Sequence, residues 1–148
     1  MFKHIMVPTD ESELSEKTVA KAIAFAKELR AQITFLCVVQ QTMPFYYGVG
    51  EIFDSHVAIR LKEELNAFYN TVLDKALAET TREEVEAKRK ILISDSPYEA
   101  ILEAVKTEGC DLIFMASHGR RGVEHFLLGS ETYKVLSHST IPVLVDRY

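Results

Sequence analysis

Five short runs, apolar almost throughout, alternate with longer stretches whose apolar residues recur every three or four positions. No other feature of the chain restricts its fold as much. The runs are Ile5-Met6-Val7, closed by Pro8-Thr9-Asp10; Ile33 to Val39; Ile91-Leu92-Ile93 within Lys88 to Ser94; Leu112 to Ala116; and Ile141 to Val145. A strand with one wet face alternates apolar and polar residues, so a run apolar at successive positions reads as a strand covered on both faces. The intervening segments have a helical period and one face to bury. Strand–helix–strand alternation needs crossover connections, which are right-handed and leave neighbouring strands parallel. The expected fold is α/β: a three-layer α/β/α sandwich around a five-stranded parallel sheet.

Local signals set the expected helix limits. Ser12 can cap a first helix in which Leu14, Thr18, Val19, Ala22, Ile23, Ala26 and Leu29 keep the helical period through Arg30. A second runs from about Phe53 to Thr80, with Leu61, Leu65, Phe68, Val72 and Ala76 on one stripe. Ser96-Pro97-Tyr98-Glu99 predicts a capping box with Pro97 at the first helical position, and Gly109 is placed to end that helix. The last helix is short, from Ser130 to about Ser137.

Composition limits function. The 148 residues contain no linker, repeat or low-complexity stretch, so one domain over 1–148 is expected. Seventeen Lys and Arg against 22 Asp and Glu give a net charge of -5, which argues against a nucleic-acid binder that neutralises phosphates. No apolar run approaches the roughly 20 residues of a membrane span, and the N-terminus enters a strand without a signal-peptide core. No membrane association and a cytoplasmic location are therefore expected. Cys37 and Cys110 are too few for a disulfide framework or a four-ligand zinc site, and Cys37 reads as core.

Open parallel sheets bind ligands beyond the carboxyl ends of their strands, where the strand order reverses. Two of the loops there are long. Residues 40–52 carry Met43-Pro44-Phe45-Tyr46-Tyr47, whose three consecutive aromatics either fold over the crevice, the favoured reading, or form a partner surface. Residues 117–129 hold Gly119, Gly122 and Gly129, three of the six glycines, beside Arg120 and Arg121. Glycines let backbone N–H groups converge on an anion, and Gly129-Ser130 opens a helix whose first N–H groups favour phosphate. The same residues also suit tight turns and an ordinary helix cap, so two readings stand at this level.

Other chemistries lack their motifs. There is no Walker loop, and no Gly-x-Ser-x-Gly elbow supports Ser117, His118 and Asp10 as a hydrolytic triad. His4, His56, His125 and His138 have no metal-ligand spacing. His118 is expected to bond within its loop or to contact a ligand.

Val7-Pro8-Thr9-Asp10, Asp111 through Gly119, Gly129-Ser130 and Ile141-Pro142-Val143-Leu144-Val145 together resemble the universal stress protein family over essentially the whole chain. ATP-binding members carry Gly-x2-Gly-x9-Gly-(Ser/Thr); here Ala116, Gly119, Gly129 and Ser130 keep the spacing, with Ala in place of the first Gly. The resemblance implies a Rossmann-like sheet of order 3-2-1-4-5 and an adenine nucleotide between strands 1 and 4. ATP is the expected ligand, with AMP or ADP as variants, accompanied by Mg²⁺ or Mn²⁺. Pro8, Thr9 and Asp10 would lie at the ribose and phosphates, with Asp10 meeting the metal through the nucleotide. Val38 would meet the adenine through its backbone, and Met115 and Ala116 would line the nucleoside. His118, Gly119, Arg120, Gly122, Gly129, Ser130, Glu131 and Thr132 would surround the phosphates. Glu131, read as the first helical residue, is expected to repel a triphosphate unless its carboxylate turns away. The apolar edge strand Ile141–Val145 implies a homodimer. With no positioned general base other than Asp10, whose better use is at the ribose or metal, hydrolysis would be slow at most. The alternative is an interaction dimer of the same family that binds no nucleotide.

Overall fold

The computed structural model describes residues 1–10, 12–40, 55–118 and 128–147. Its elements are β1 His4–Pro8, α1 Glu13–Leu29, β2 Gln32–Val39, α2 Ser55–Arg82, β3 Ala87–Ile93, α3 Pro97–Glu108, β4 Leu112–Ala116, α4 Ser130–His138 and β5 Val143–Asp146. All four strand pairs are parallel and the order is β3-β2-β1-β4-β5, as the resemblance implies. The aromatic run 43–47 and residues 119–127, with Gly119, Arg120 and Gly122, lie outside the described residues.

Two cores explain the uninterrupted apolar strands. Ile5, Val7, Ile33, Phe35 and Phe114 face α1 and α2, packing on Val19, Ala22, Ile23, Tyr69 and Leu73. Met6, Leu36, Ile113 and Met115 face the other way, against Ile101, Ala104 and Val105 of α3 and Val135 of α4. Successive residues of β1 therefore enter opposite cores, and neither can be polar without a partner.

Helix ends follow local chemistry in part. The Ser12 hydroxyl accepts from the Ser15 N–H at 3.1 Å, so α1 starts at Glu13. Gly109 adopts φ 69°, the left-handed conformation that ends α3 through its N–H to Lys106 and Val105 carbonyls. The expected capping box does not form: Ser96 makes no side-chain cap bond, and the Glu99 carboxylate instead accepts from the Tyr98 hydroxyl at 3.1 Å. The last strand begins two residues later than its apolar run. Pro142 has no N–H for a ladder; its carbonyl accepts from the Ile113 N–H at 3.0 Å, and the strand proper runs on to Asp146. Among the described residues, no helix is long and apolar enough to cross a membrane.

The strand ends opposite the crevice are structural. The Asp111 carboxylate accepts from the N–H groups of Lys3 and His4 at 2.9–3.1 Å. His4 is buried, with Nε2 2.7 Å from Thr34 Oγ1. Burial, aided by the Lys88 ammonium, holds its pKa below 6.5. Both cysteines are buried and neither is in a disulfide, and burial pushes the Cys110 thiol up to about 12, which disfavours its reactive thiolate near neutrality.

The sign of the His4 effect is fixed. Its folded-state pKa is lowered, so as pH falls through 6.5 the unfolded chain takes up the proton first. The stabilisation from the neutral buried ring is complete above that value and is lost as pH drops towards the folded-state pKa. The denaturation midpoint should therefore fall between about pH 7.5 and about pH 5.5, and His4→Gln should flatten that decline. An equal decline in the variant would assign it to other groups.

Candidate functional site

The crevice arises from a ladder that stops early. β1 and β4 are in register at Ile5–Leu112 and Met6–Ile113. Above that level β1 stays with β2 through Pro8–Leu36, and β4 stays with β5 through Ala116–Asp146. Chain leaves β1 for α1 on one face and β4 for α4 on the other, so the carboxyl ends of the two central strands part. This is the switch point at which such sheets bind ligands.

The β1 wall is shaped by the first turn of α1. Thr9 N–H donates to the Leu36 carbonyl at 2.8 Å, and Thr9 Oγ1 lies 2.7 Å from Ser15 Oγ. Asp10 N–H donates to Ser15 Oγ at 2.9 Å, while Asp10 Oδ1 accepts from the Ser12 N–H at 2.8 Å and from the Ser12 hydroxyl. Asp10 is therefore oriented towards α1 and forms no triad with Ser117 and His118. On the other face of the sheet from Val38 and Met115, a cavity of about 420 Å³ between α1 and α2 reaches up to Thr9 and Asp10. It is floored by Val19, Val72 and Ala76 and includes nothing from the β4 side.

The β4 wall is clamped harder. Ser117 N–H donates to the Asp146 carbonyl at 2.9 Å, and the Ser117 carbonyl accepts from Gly129 N–H at 2.8 Å. Thr132 Oγ1 donates to the Ala116 carbonyl at 3.0 Å. These bonds seat the N-terminus of α4, with its first N–H groups and positive dipole end, on the end of β4. Gly129 is the N-cap at φ -57°, a conformation open to any residue. Its requirement is space, because a Cβ there would stand 3.1 Å from the Ser117 carbonyl oxygen. Ser130 is the first helical residue, where the helix is expected to start, which makes Glu131 the second rather than the first.

Val38 is half-buried at the end of β2, and both it and buried Met115 belong to the α3–α4 core beneath the crevice. Ala116 is half-buried beside them. Buried Ser117 lies with Oγ 3.1 Å from His118 Nδ1, and His118 is 9% exposed with Nε2 buried and without a partner among the described residues. Sequence reasoning missed Asp146. It is buried at the end of β5, accepts from Thr18 Oγ1 at 3.0 Å, and pairs with Lys21 Nζ at 2.7 Å, tying that strand to α1. The only sequence signal was an acid directly after an apolar run.

The Glu131 carboxylate finds its partners on α3 and on its own helix. Its Oε2 accepts from Tyr98 N–H at 2.9 Å and its Oε1 pairs with Lys134 Nζ at 3.0 Å. The carboxylate thus caps α3, the function Ser96 and Glu99 were expected to share, and is neutralised on its own helix. Lys134 Nζ also sits 5.6 Å from the centroid of the Tyr98 ring, which packs 5.1 Å from that of His138. Among the described residues, no group of three His, Cys, Asp or Glu could hold a metal ion.

Residues 1–147 match the family model described as the universal stress protein family. The chain belongs to that family. It is 29% identical over 150 residues to universal stress protein YxiE of Bacillus subtilis, covering 99% of this chain and 100% of the relative. It is also 29% identical over 157 residues to universal stress protein MJ0577 of Methanocaldococcus jannaschii, covering 98% and 94%. A solved structure of MJ0577 superposes with TM-score 0.81 over 98% of this chain and 95% of that one. Two more distant structures share the fold. One is a universal stress protein in complex with cAMP, with TM-score 0.70 and 19% identity, covering 98% and 96%. The other is the Archaeoglobus fulgidus protein in complex with dAMP, with TM-score 0.61 and 19% identity, covering 97% and 96%.

In this universal stress protein, Gly129→Ala should cost about 1–3 kcal/mol in chemical denaturation, by forcing the Ser117 carbonyl away. Gly129→Val should cost more. Glu131→Val should cost about 1 kcal/mol by uncapping α3, with Glu131→Gln recovering part of it. A neutral Glu131→Val would show that the Tyr98 bond contributes nothing.

Proposed function

We propose that this protein binds an adenine nucleotide, ATP in the first instance, in the crevice between β1 and β4. The observation that carries the reading is the N-terminus of α4 hydrogen-bonded to the end of β4 through Gly129, where a Cβ would stand 3.1 Å from the Ser117 carbonyl oxygen. Such a terminus favours a phosphate chain. The cAMP and dAMP complexes of family members support the choice of adenine.

In this reading Val38 offers backbone to the base, and Met115 and Ala116 line the nucleoside. Pro8, Thr9 and Asp10 approach the ribose, with Asp10 next to a nucleotide-bound Mg²⁺ or Mn²⁺. Ser130, Glu131 and Thr132 give main-chain N–H groups to the phosphates, Gly129 leaves room for them by having no side chain, and Gly119, Arg120 and Gly122 complete the site. The Thr132 hydroxyl and the Glu131 carboxylate are already engaged by Ala116, Tyr98 and Lys134, so their contribution is from backbone. Hydrolysis is slow at most, because the Asp10 carboxylate is engaged by Ser12 rather than poised as a general base. The protein acts in the cytoplasm as a homodimer through the β5 edge.

Calorimetry with and without Mg²⁺ should give saturable ATP binding, and denaturing freshly purified protein should release adenine nucleotide. No released nucleotide and no heat at millimolar ATP would leave the interaction-dimer reading in its place. That reading draws on Ala116, whose methyl stands where ATP-binding members have none. Light scattering should give a dimer at micromolar concentration, and Val143→Lys should reduce it to monomer.

A further inference from the structure

Among the described residues, the buried side-chain nitrogen or oxygen left without a hydrogen-bond partner is His118 Nε2. Such an atom costs about 1–3 kcal/mol unless something not yet bound satisfies it. Its surroundings limit what that can be. The ring is held from behind, where Nδ1 lies 3.1 Å from Ser117 Oγ. The backbone of Ser117 is pinned on both sides, to Asp146 and to Gly129. The opposite edge of the ring faces the start of α4: Cδ2, the atom bonded to Nε2, lies 3.8 Å from where a Gly129 Cβ would stand. The unpartnered nitrogen is therefore beside a helix N-terminus, where N–H groups and the positive dipole end favour an anion.

We propose that His118 is the donor that distinguishes phosphorylated from unphosphorylated ligands, with Nε2–H bonding an anionic phosphate oxygen at the N-terminus of α4. This rests on the nucleotide reading above and assigns within it a role to one residue. The bonding pattern follows from the partners. If the Ser117 hydroxyl donates to Nδ1, the ring proton sits on Nε2 and an acceptor-only oxygen satisfies it. Ser117 thereby acts as a positioning residue that sets the tautomer. Nε2 is closed off from bulk water, in surroundings where a hydrogen bond is electrostatically stronger than in solvent.

The test compares ATP, AMP and adenosine by calorimetry. His118→Leu should weaken ATP and AMP about ten- to hundredfold, as expected for a charge-assisted bond, and leave adenosine unchanged. His118→Gln, whose amide nitrogen can stand in for Nε2, should retain most of the affinity. Ser117→Ala should show a smaller loss confined to the phosphorylated ligands. Equal losses for adenosine and ATP, or no loss, would overturn the proposal by making His118 merely structural. Should His118→Leu fail to fold, the imidazole ¹H–¹⁵N spectrum of the wild-type protein decides: tripolyphosphate should shift the His118 Nε2–H resonance, and an unmoved resonance overturns the proposal. Wild-type protein that binds no adenine nucleotide yet shows this shift would retain the His118 anion contact and remove the nucleotide reading.

Discussion

The crevice depends on the backbone of Ser117. Its N–H closes the β4–β5 ladder on Asp146, and its carbonyl receives the N-cap of α4. Asp146 is in turn held by Thr18 and Lys21 of α1, so one residue joins elements from both faces of the sheet. A residue whose N–H and carbonyl are both bonded inside the protein cannot shift without losing two hydrogen bonds where little water can replace them. This fixes the separation between the β4 wall and the N-terminus of α4. It also explains why Gly129 is glycine for reasons of distance, while Gly109 is glycine for reasons of φ.

A second constraint couples α3 to α4. Glu131 satisfies an N–H at the start of α3, pairs with Lys134, and so fixes the angle between two helices whose buried residues share a core. The sign of its contribution depends on direction. Aimed into the crevice, a carboxylate near a phosphate costs about 4 kcal/mol at 4 Å and intermediate dielectric; turned to the α3 N-terminus, it is a favourable cap. Which holds is settled by a neighbour 33 positions away in the chain.

Legibility in the sequence followed the range of the interaction. Ser12, Arg30 and Gly109 act on neighbours a few residues away, and of these the roles of Ser12 and Gly109 could be read from type and position. The loops at the switch point, with Thr9, Asp10, Gly129 and Ser130, were equally legible, because a parallel sheet places its strand ends together whatever the details. Ser96 and Glu99 satisfied the capping-box pattern and did not form it, since Glu131 occupies that helix end. Asp146 went unread because a buried acid is distinguished from a solvated one only by its partners, here Thr18 and Lys21.

The sequence by itself determined the architecture: continuous apolar strands demand cover on both faces, and crossover handedness then leaves a parallel sheet with a switch point. It also marked the chemistry available at that point, namely glycine, a helix start and an acid after the first strand. Tertiary structure decided how those groups are used. It turned Glu131 to the start of α3, fixed Asp10 against Ser12, and left His118 Nε2 buried and without a partner among the described residues. The physical reason is that backbone pattern follows from local period and burial, whereas the energy of a polar group depends on partners that only folding brings within about 3 Å.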